Sequence, residues 1–261
     1  MSTPSTIGGI NLLPRPDKRQ IYARIIPAEL LQRFHLNPYL TDKQGNDLLA
    51  LDAPSGSGSV ELSLYHQLGF RDPVISGHLT DTMNGQIHIL FYTLNNPDSP
   101  RYDVDQLSDG TLTQLGTLHR NQPAEIEALQ AGLSPGQIRE GLHQLKTAVT
   151  TFENFITDLG QTMHFAEPLF YHNAVIFERY GFRYQVGRRL MERIDQGFEP
   201  GGDLLPQLDG STPFRQPEAA HSIRLRSWAI HDGILGQPFT NVTMYKESGK
   251  HAGVTTANCG W

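Results

Sequence analysis

The chain has 261 residues, with 27 Asp and Glu against 21 Lys and Arg and a formal net charge of −6 at pH 7. Such a mildly acidic, evenly spread charge argues against binding to nucleic acid, and the single cysteine, Cys259, excludes an intramolecular disulfide and a cysteine-based metal cluster. A chain of this length buries a substantial core without covalent staples; with no export signal or membrane-length apolar run, it reads as a soluble, cytoplasmic protein that acts on a small molecule and binds no membrane.

After a proline-rich lead, Gln20 to Ile26 reads as a strand and Pro27 to Phe34 as a short helix with proline in its first turn. Leu48 to Leu51 and Val60 to Tyr65 flank the turn-forming Pro54-Ser-Gly-Ser-Gly58 and predict a hairpin. Gln86 to Asn95 is apolar on both faces, as a central strand is. Helices follow: Pro123 to Ala131 between Asn121 and Gly132, then a long one from Ser134 to Gly160 with an apolar stripe running from Ile138 to Leu159. Pro168 opens a helix that stops at Gly181; Phe182 to Val186 is a short strand and Arg188 to Phe198 another helix. An irregular stretch, Asp203 to Ala220, precedes strand candidates at Ser222 to Ile230 and Asn241 to Lys246, and the tail, 247–261, reads as loosely ordered. The expectation is one α+β domain over 1–261, strand-rich over 1–120 and helix-rich with closing strands over 121–246, in which a mixed, mostly antiparallel sheet is packed by several helices.

Four groups of residues carry candidate chemistry. Eleven histidines are the compositional hint of metal or acid-base work, and His78, Asp81 and His88 supply two imidazoles and a carboxylate for a divalent zinc or iron. His66, His172, His221 or His231 would join them through space. That set implies a metal-dependent oxygenase or hydrolase; its bland counterpart is a polar residue on a strand beside a turn. Arg224 and Arg226 alternate onto one face of the expected strand, suited to a carboxylate or phosphate, which implies a noncatalytic anion-binding protein or, equally, surface ion pairs. His231-Asp232-Gly233 forms an acid-base pair at a turn, or just a turn.

The fourth group is the run His172-Asn-Ala-Val-Ile-Phe177-Glu178-Arg-Tyr180-Gly181-Phe182-Arg183, joined by Val242-Thr-Met-Tyr-Lys246. It resembles the late helix-to-strand corner and methionine-lysine closing strand of the GNAT acyltransferase superfamily. The resemblance implies an acyl-coenzyme A-dependent N-acyltransferase, or an inactive thioester-binding relative, in which an amine attacks the thioester directly. It places the cofactor pyrophosphate at the N-terminus of the helix from Ser134, with Gly136, Arg139 and Gly141 in the phosphate loop, and packs Phe177 on the cofactor arm. Phe177 stands where the family has a tyrosine that protonates the departing thiolate, and Tyr180 is the neighbouring hydroxyl left for that task.

Overall fold

Ile21, Tyr22, Ile25 and Ile26 recur with helical spacing, and the segment expected as a strand from Gln20 is instead the end of a helix. The structure, a computed structural model, describes residues 4–113 and 119–261; the first three residues of the lead and residues 114–118 of the strand-rich half lie outside it. Among the described residues there are eight α-helices, α1 (Ile7–Asn11), α2 (Arg15–Ala23), α3 (Ala28–Arg33), α4 (Gln122–Gln130), α5 (Leu145–Asp158), α6 (Tyr171–Arg179), α7 (Arg188–Phe198) and α8 (Ile223–His231). The seven strands are β1 (Leu49–Asp52), β2 (Ser59–Leu64), β3 (Ile75–Asp81), β4 (Ile87–Leu94), β5 (Met163–Ala166), β6 (Arg183–Val186) and β7 (Thr243–Glu247). Their order in the sheet is β1-β2-β3-β4-β5-β7-β6. The class is therefore α+β, with a mixed, mostly antiparallel sheet. No described helix is long and apolar enough to cross a membrane.

The chain groups into two compact units, each assembled from separate stretches: Met1–Asp98 with Gly141–Glu167 and Tyr245–His251, and Ser99–Glu140 with Pro168–Met244 and Ala252–Trp261. In the first unit β1 to β4 are successive antiparallel neighbours, so the expected hairpin and central strand are both present. Leu49, Val60, Leu62, Leu64, Ile75, Leu79 and Ile87 form a core with residues of α1, α2, α3 and α5. The register pairs Leu62 with Gly77, Leu79 with Ile89 and Asp81 with Ile87, which defines that face; Thr80 pairs with His88 and His78 with Phe91 on the other.

The second unit holds α4, α6, α7 and α8. α4 begins where expected, the Asn121 side chain accepting a hydrogen bond from the Ala124 N–H. Three sequence expectations fail here. The helix expected from Ser134 starts only at Leu145: Gly136 and His143 adopt positive φ values of 78° and 55°, which no α-helix accommodates. Ile138 and Leu142 kept the helical spacing because each is an anchor of a different core, Ile138 beside Ala128 and Trp228 and Leu142 beside Phe152. The strand expected at Ser222 to Ile230 is α8. Ser222 caps it by accepting from Leu225 N–H, and Arg226, Ser227, Trp228, Ala229 and Ile230 are all buried, so the i, i+2 alternation of Ile223 and Leu225 was incidental. The tail expected to be loose is tied down: Gly260 bridges Ser222, and Thr256 donates its N–H and hydroxyl to the Glu178 carboxylate.

Candidate functional site

β4 and β5 are parallel neighbours for only two residue pairs, His88 with Phe165 and Ile89 with Ala166. One further bond, from Glu167 N–H to Ile89 C=O, ends the contact, and the next residue, Pro168, has no N–H to continue it. From Leu90 to Leu94, β4 has a strand partner only on its β3 side among the described residues; the other edge is met again at Asn95, which bridges Gly141. A sheet edge left open inside the sheet offers unpaired N–H and C=O groups to any extended ligand.

Three residues after Gly141 stands Gln144, the N-cap of α5. Its side chain makes no capping bond, and its Oε1 is buried without a hydrogen-bond partner among the described residues. The first turn of α5 has no acidic residue and carries the exposed Lys146. Helix N-termini present free N–H groups and the positive end of the dipole, so an uncapped one beside a lysine favours an anion. His143, next to the cap, holds its backbone at φ 55°, a conformation that a side-chain-bearing residue seldom adopts and that accompanies functional loops.

The opposite face of this unit's sheet, away from its helices, carries His88, Phe91 and Phe165, with the Phe165 ring 6.2 Å from the His88 ring and 6.1 Å from Tyr245. His88 Nε2 is buried and has no hydrogen-bond partner among the described residues. Burial pushes the His88 pKa below its ordinary value, against the pull of the Glu167 carboxylate, so the ring is neutral at pH 7.

A separate cluster lies in the second unit. Asn173 Oδ1 accepts from Phe170 N–H at 3.2 Å, which turns Nδ2 toward His172 Nε2, also at 3.2 Å. His172 Nε2 is then the acceptor and Nδ1 the donor, to Ser227 Oγ at 2.8 Å; the His172 backbone N–H donates to the same oxygen at 3.4 Å. With its oxygen receiving two N–H groups, Ser227 has no base among the described residues to take its proton, so the pair joins α6 to α8 and does not form a nucleophile. Burial pushes His172 down to about 3. Next to it, Glu125 accepts from His231 Nε2 at 3.0 Å and from Arg120 at 2.6 Å, Arg120 reaches Asp232 at 2.8 Å, and Asp232 also accepts from Arg215 and Thr212. Burial pushes the Glu125 carboxyl up, but its bonds from His231 and Arg120 prevail and hold it low. The His231-Asp232 reading resolves into a closed charge network.

The residues singled out in the sequence are dispersed. Asp81 lies on the core face, opposite His78 and His88, and its two oxygens accept the N–H groups of Ile7 and Gly8 at 2.7 and 2.8 Å; it caps α1. His78 Nε2 is 2.8 Å from Ser59 Oγ. Strand alternation thus keeps the His78, Asp81, His88 metal set from assembling, and no three His, Cys, Asp or Glu side chains gather in a metal-holding group among the described residues. Arg224 and Arg226 are on a helix, not a strand face: Arg224 donates to the carbonyls of Leu129 and Leu133, while Arg226, 2% exposed, pairs with Asp195 at 2.6 Å and donates to the Ala220 carbonyl. Gly136 is a turn residue lying against the Phe170 ring, where an added Cβ would come within 2.4 Å. Arg139 donates to the Ser99 carbonyl, and Gly141 lies in the loop before α5, not inside a helix. Phe177 stacks on Phe182 at 5.0 Å, and Tyr180 is the half-buried C-cap of α6.

Gln144, Lys146, Phe165 and Glu167 were missed. The glycine at 141, interrupting an apolar stripe, was the available signal for the later helix start. No protein family, curated protein or solved structure matches the chain significantly.

Proposed function

We propose that the protein binds an acyl-coenzyme A thioester and transfers the acyl group to an amine. The observation that carries this reading is the parting of β4 and β5 after Ile89, with the uncapped N-terminus of α5 following the loop that bridges the end of β4. An extended amide-bearing arm pairs with the free edge from Leu90 to Leu94, and a phosphate is received by the first turn of α5 with Lys146. The buried Gln144 oxygen supplies an acceptor for a ligand N–H. The α6-to-β6 corner with Phe177, Gly181 and Phe182 and the methionine-lysine strand β7 agree with the resemblance to the GNAT superfamily. The phosphate loop of this reading moves from Gly136 and the Ser134 segment to Gly141 through Gln144.

The test is a thermal-shift titration with acetyl-coenzyme A and with coenzyme A. Both should raise the melting temperature in a concentration-dependent way, since each binds only the folded state. Lys146→Glu, which reverses charge at the helix dipole, should weaken both by roughly 2- to 5-fold. Absence of any shift at millimolar ligand would dismiss the reading. Phe177, which has no proton to give, favours a second version in which the thioester is bound and not consumed; release of free thiol in the presence of amines separates the two.

A further inference from the structure

Resting on the acyl-transfer reading, we propose that the acceptor is a primary amine borne on an aromatic body, seated on the face of the sheet that carries His88, Phe91, Phe165 and Tyr245, with His88 Nε2 taking its proton. Register fixes the geometry. His88 pairs with Phe165 across β4 and β5, and His78 with Phe91 across β3 and β4, so these side chains share one face. Phe165 stands between His88 and Tyr245, with centroids 6.2 and 6.1 Å away, which makes a half-buried aromatic band across β4, β5 and β7. The helices of this unit pack on the other face. An aromatic ring added to such a band gains edge and offset contacts that an alkyl chain does not.

The polar groups suit an amine. Among the described residues, His88 Nε2 is buried with no hydrogen-bond partner, a deficiency that an incoming N–H removes. Glu167, whose carboxylate acts on His88, supplies negative charge that draws an ammonium ion. His78, the other imidazole on this face, is held by Ser59 and stands 3.8 Å from the exposed Glu61, so it is engaged elsewhere. His88 is one residue from Ile89, the last position at which β4 and β5 remain paired, and hence beside the point where an arm lying along the free edge would end.

The chemistry balances. His88 takes one proton from the ammonium; the neutral nitrogen attacks the thioester carbonyl carbon, and the carbon–sulfur bond breaks as the carbonyl re-forms. The second proton lost by that nitrogen passes to the thiolate, giving amide, free thiol and an imidazolium that returns its proton to water. No hydroxyl from residue 177 is needed.

The protein is loaded with acetyl-coenzyme A and thiol release is followed with phenethylamine and with butylamine. Phenethylamine should be used at least about tenfold better in kcat/KM. His88→Gln should leave the acetyl-coenzyme A thermal shift intact and lower kcat at neutral pH by about 10²–10⁴-fold. Phe165→Leu should raise KM for phenethylamine and leave butylamine unchanged; this variant decides the matter if His88→Gln fails to fold. Equal use of the two amines, or full activity of His88→Gln, overturns the inference. A wild-type protein that acetyl-coenzyme A does not stabilise overturns the acyl-transfer reading beneath it.

Discussion

His164 in the first unit and His172 in the second are buried as neutral imidazoles, each pushed from 6.5 to about 3 mainly by burial, with Lys246 and His231 respectively adding to the effect. Between these limits the unfolded chain binds protons that the folded chain refuses. Both residues therefore contribute stability in full above pH 6.5, and lose it as pH falls from there toward 3. Each adds up to about 1.4 kcal/mol per pH unit to the acid slope. Urea titrations at pH 4, 5, 6 and 7 should show that slope, and His164→Leu should make it shallower; an unchanged slope would mean that the imidazole is not buried neutral. Asp81 works at the same scale. Replacing it with alanine strips two N–H groups of α1 of their acceptor and should cost roughly 1–2 kcal/mol, read from the urea midpoint. Added zinc should not restore the loss, since the carboxylate serves a helix end.

Between elements, the decisive contacts in the second unit are buried ion pairs. Arg226 of α8 is 2% exposed and held by Asp195 of α7 and the Ala220 carbonyl, with the Phe198 ring 4.9 Å away. Asp195→Ala leaves that guanidinium buried with its charge unanswered and should destabilise the unit by about 3–5 kcal/mol. Chemical denaturation followed by tryptophan fluorescence reports it through Trp228, two residues from Arg226 on α8. In the first unit the elements that matter are β4, whose edge from Leu90 to Leu94 has no strand partner on the β5 side among the described residues, and α5, whose N-cap side chain makes no capping bond.

Across the whole molecule, the C-terminal tail acts as a strap within the second unit. Glu178, 3% exposed, receives Tyr184 Oη at 2.6 Å, Thr256 Oγ1 at 2.6 Å and Thr256 N–H at 3.1 Å, and Asn258 reaches Asp195. Deleting residues 252–261 removes all but the tyrosine from Glu178. Calorimetry should record a lower melting temperature, for a loss of roughly 2–4 kcal/mol; an unaltered transition would show that the tail is not integral.

The sequence by itself determined the features set by neighbouring residues. Pro54 to Gly58 could hardly be other than a turn between the hairpin strands, Gly181 ends α6 at φ 86° and feeds β6, and α7 follows directly from its apolar stripe. It also put His88 on the central strand. What it left open depended on partners distant in the chain. Ile138 and Leu142 keep helical spacing while serving two cores, and Ile223 and Leu225 alternate like strand residues within a helix buried almost all round. The candidate site belongs to this second kind. Phe165 and Glu167 reach His88 only because β5 lies parallel to β4, and parallel pairing of strands separated by about seventy residues leaves no local pattern in either of them.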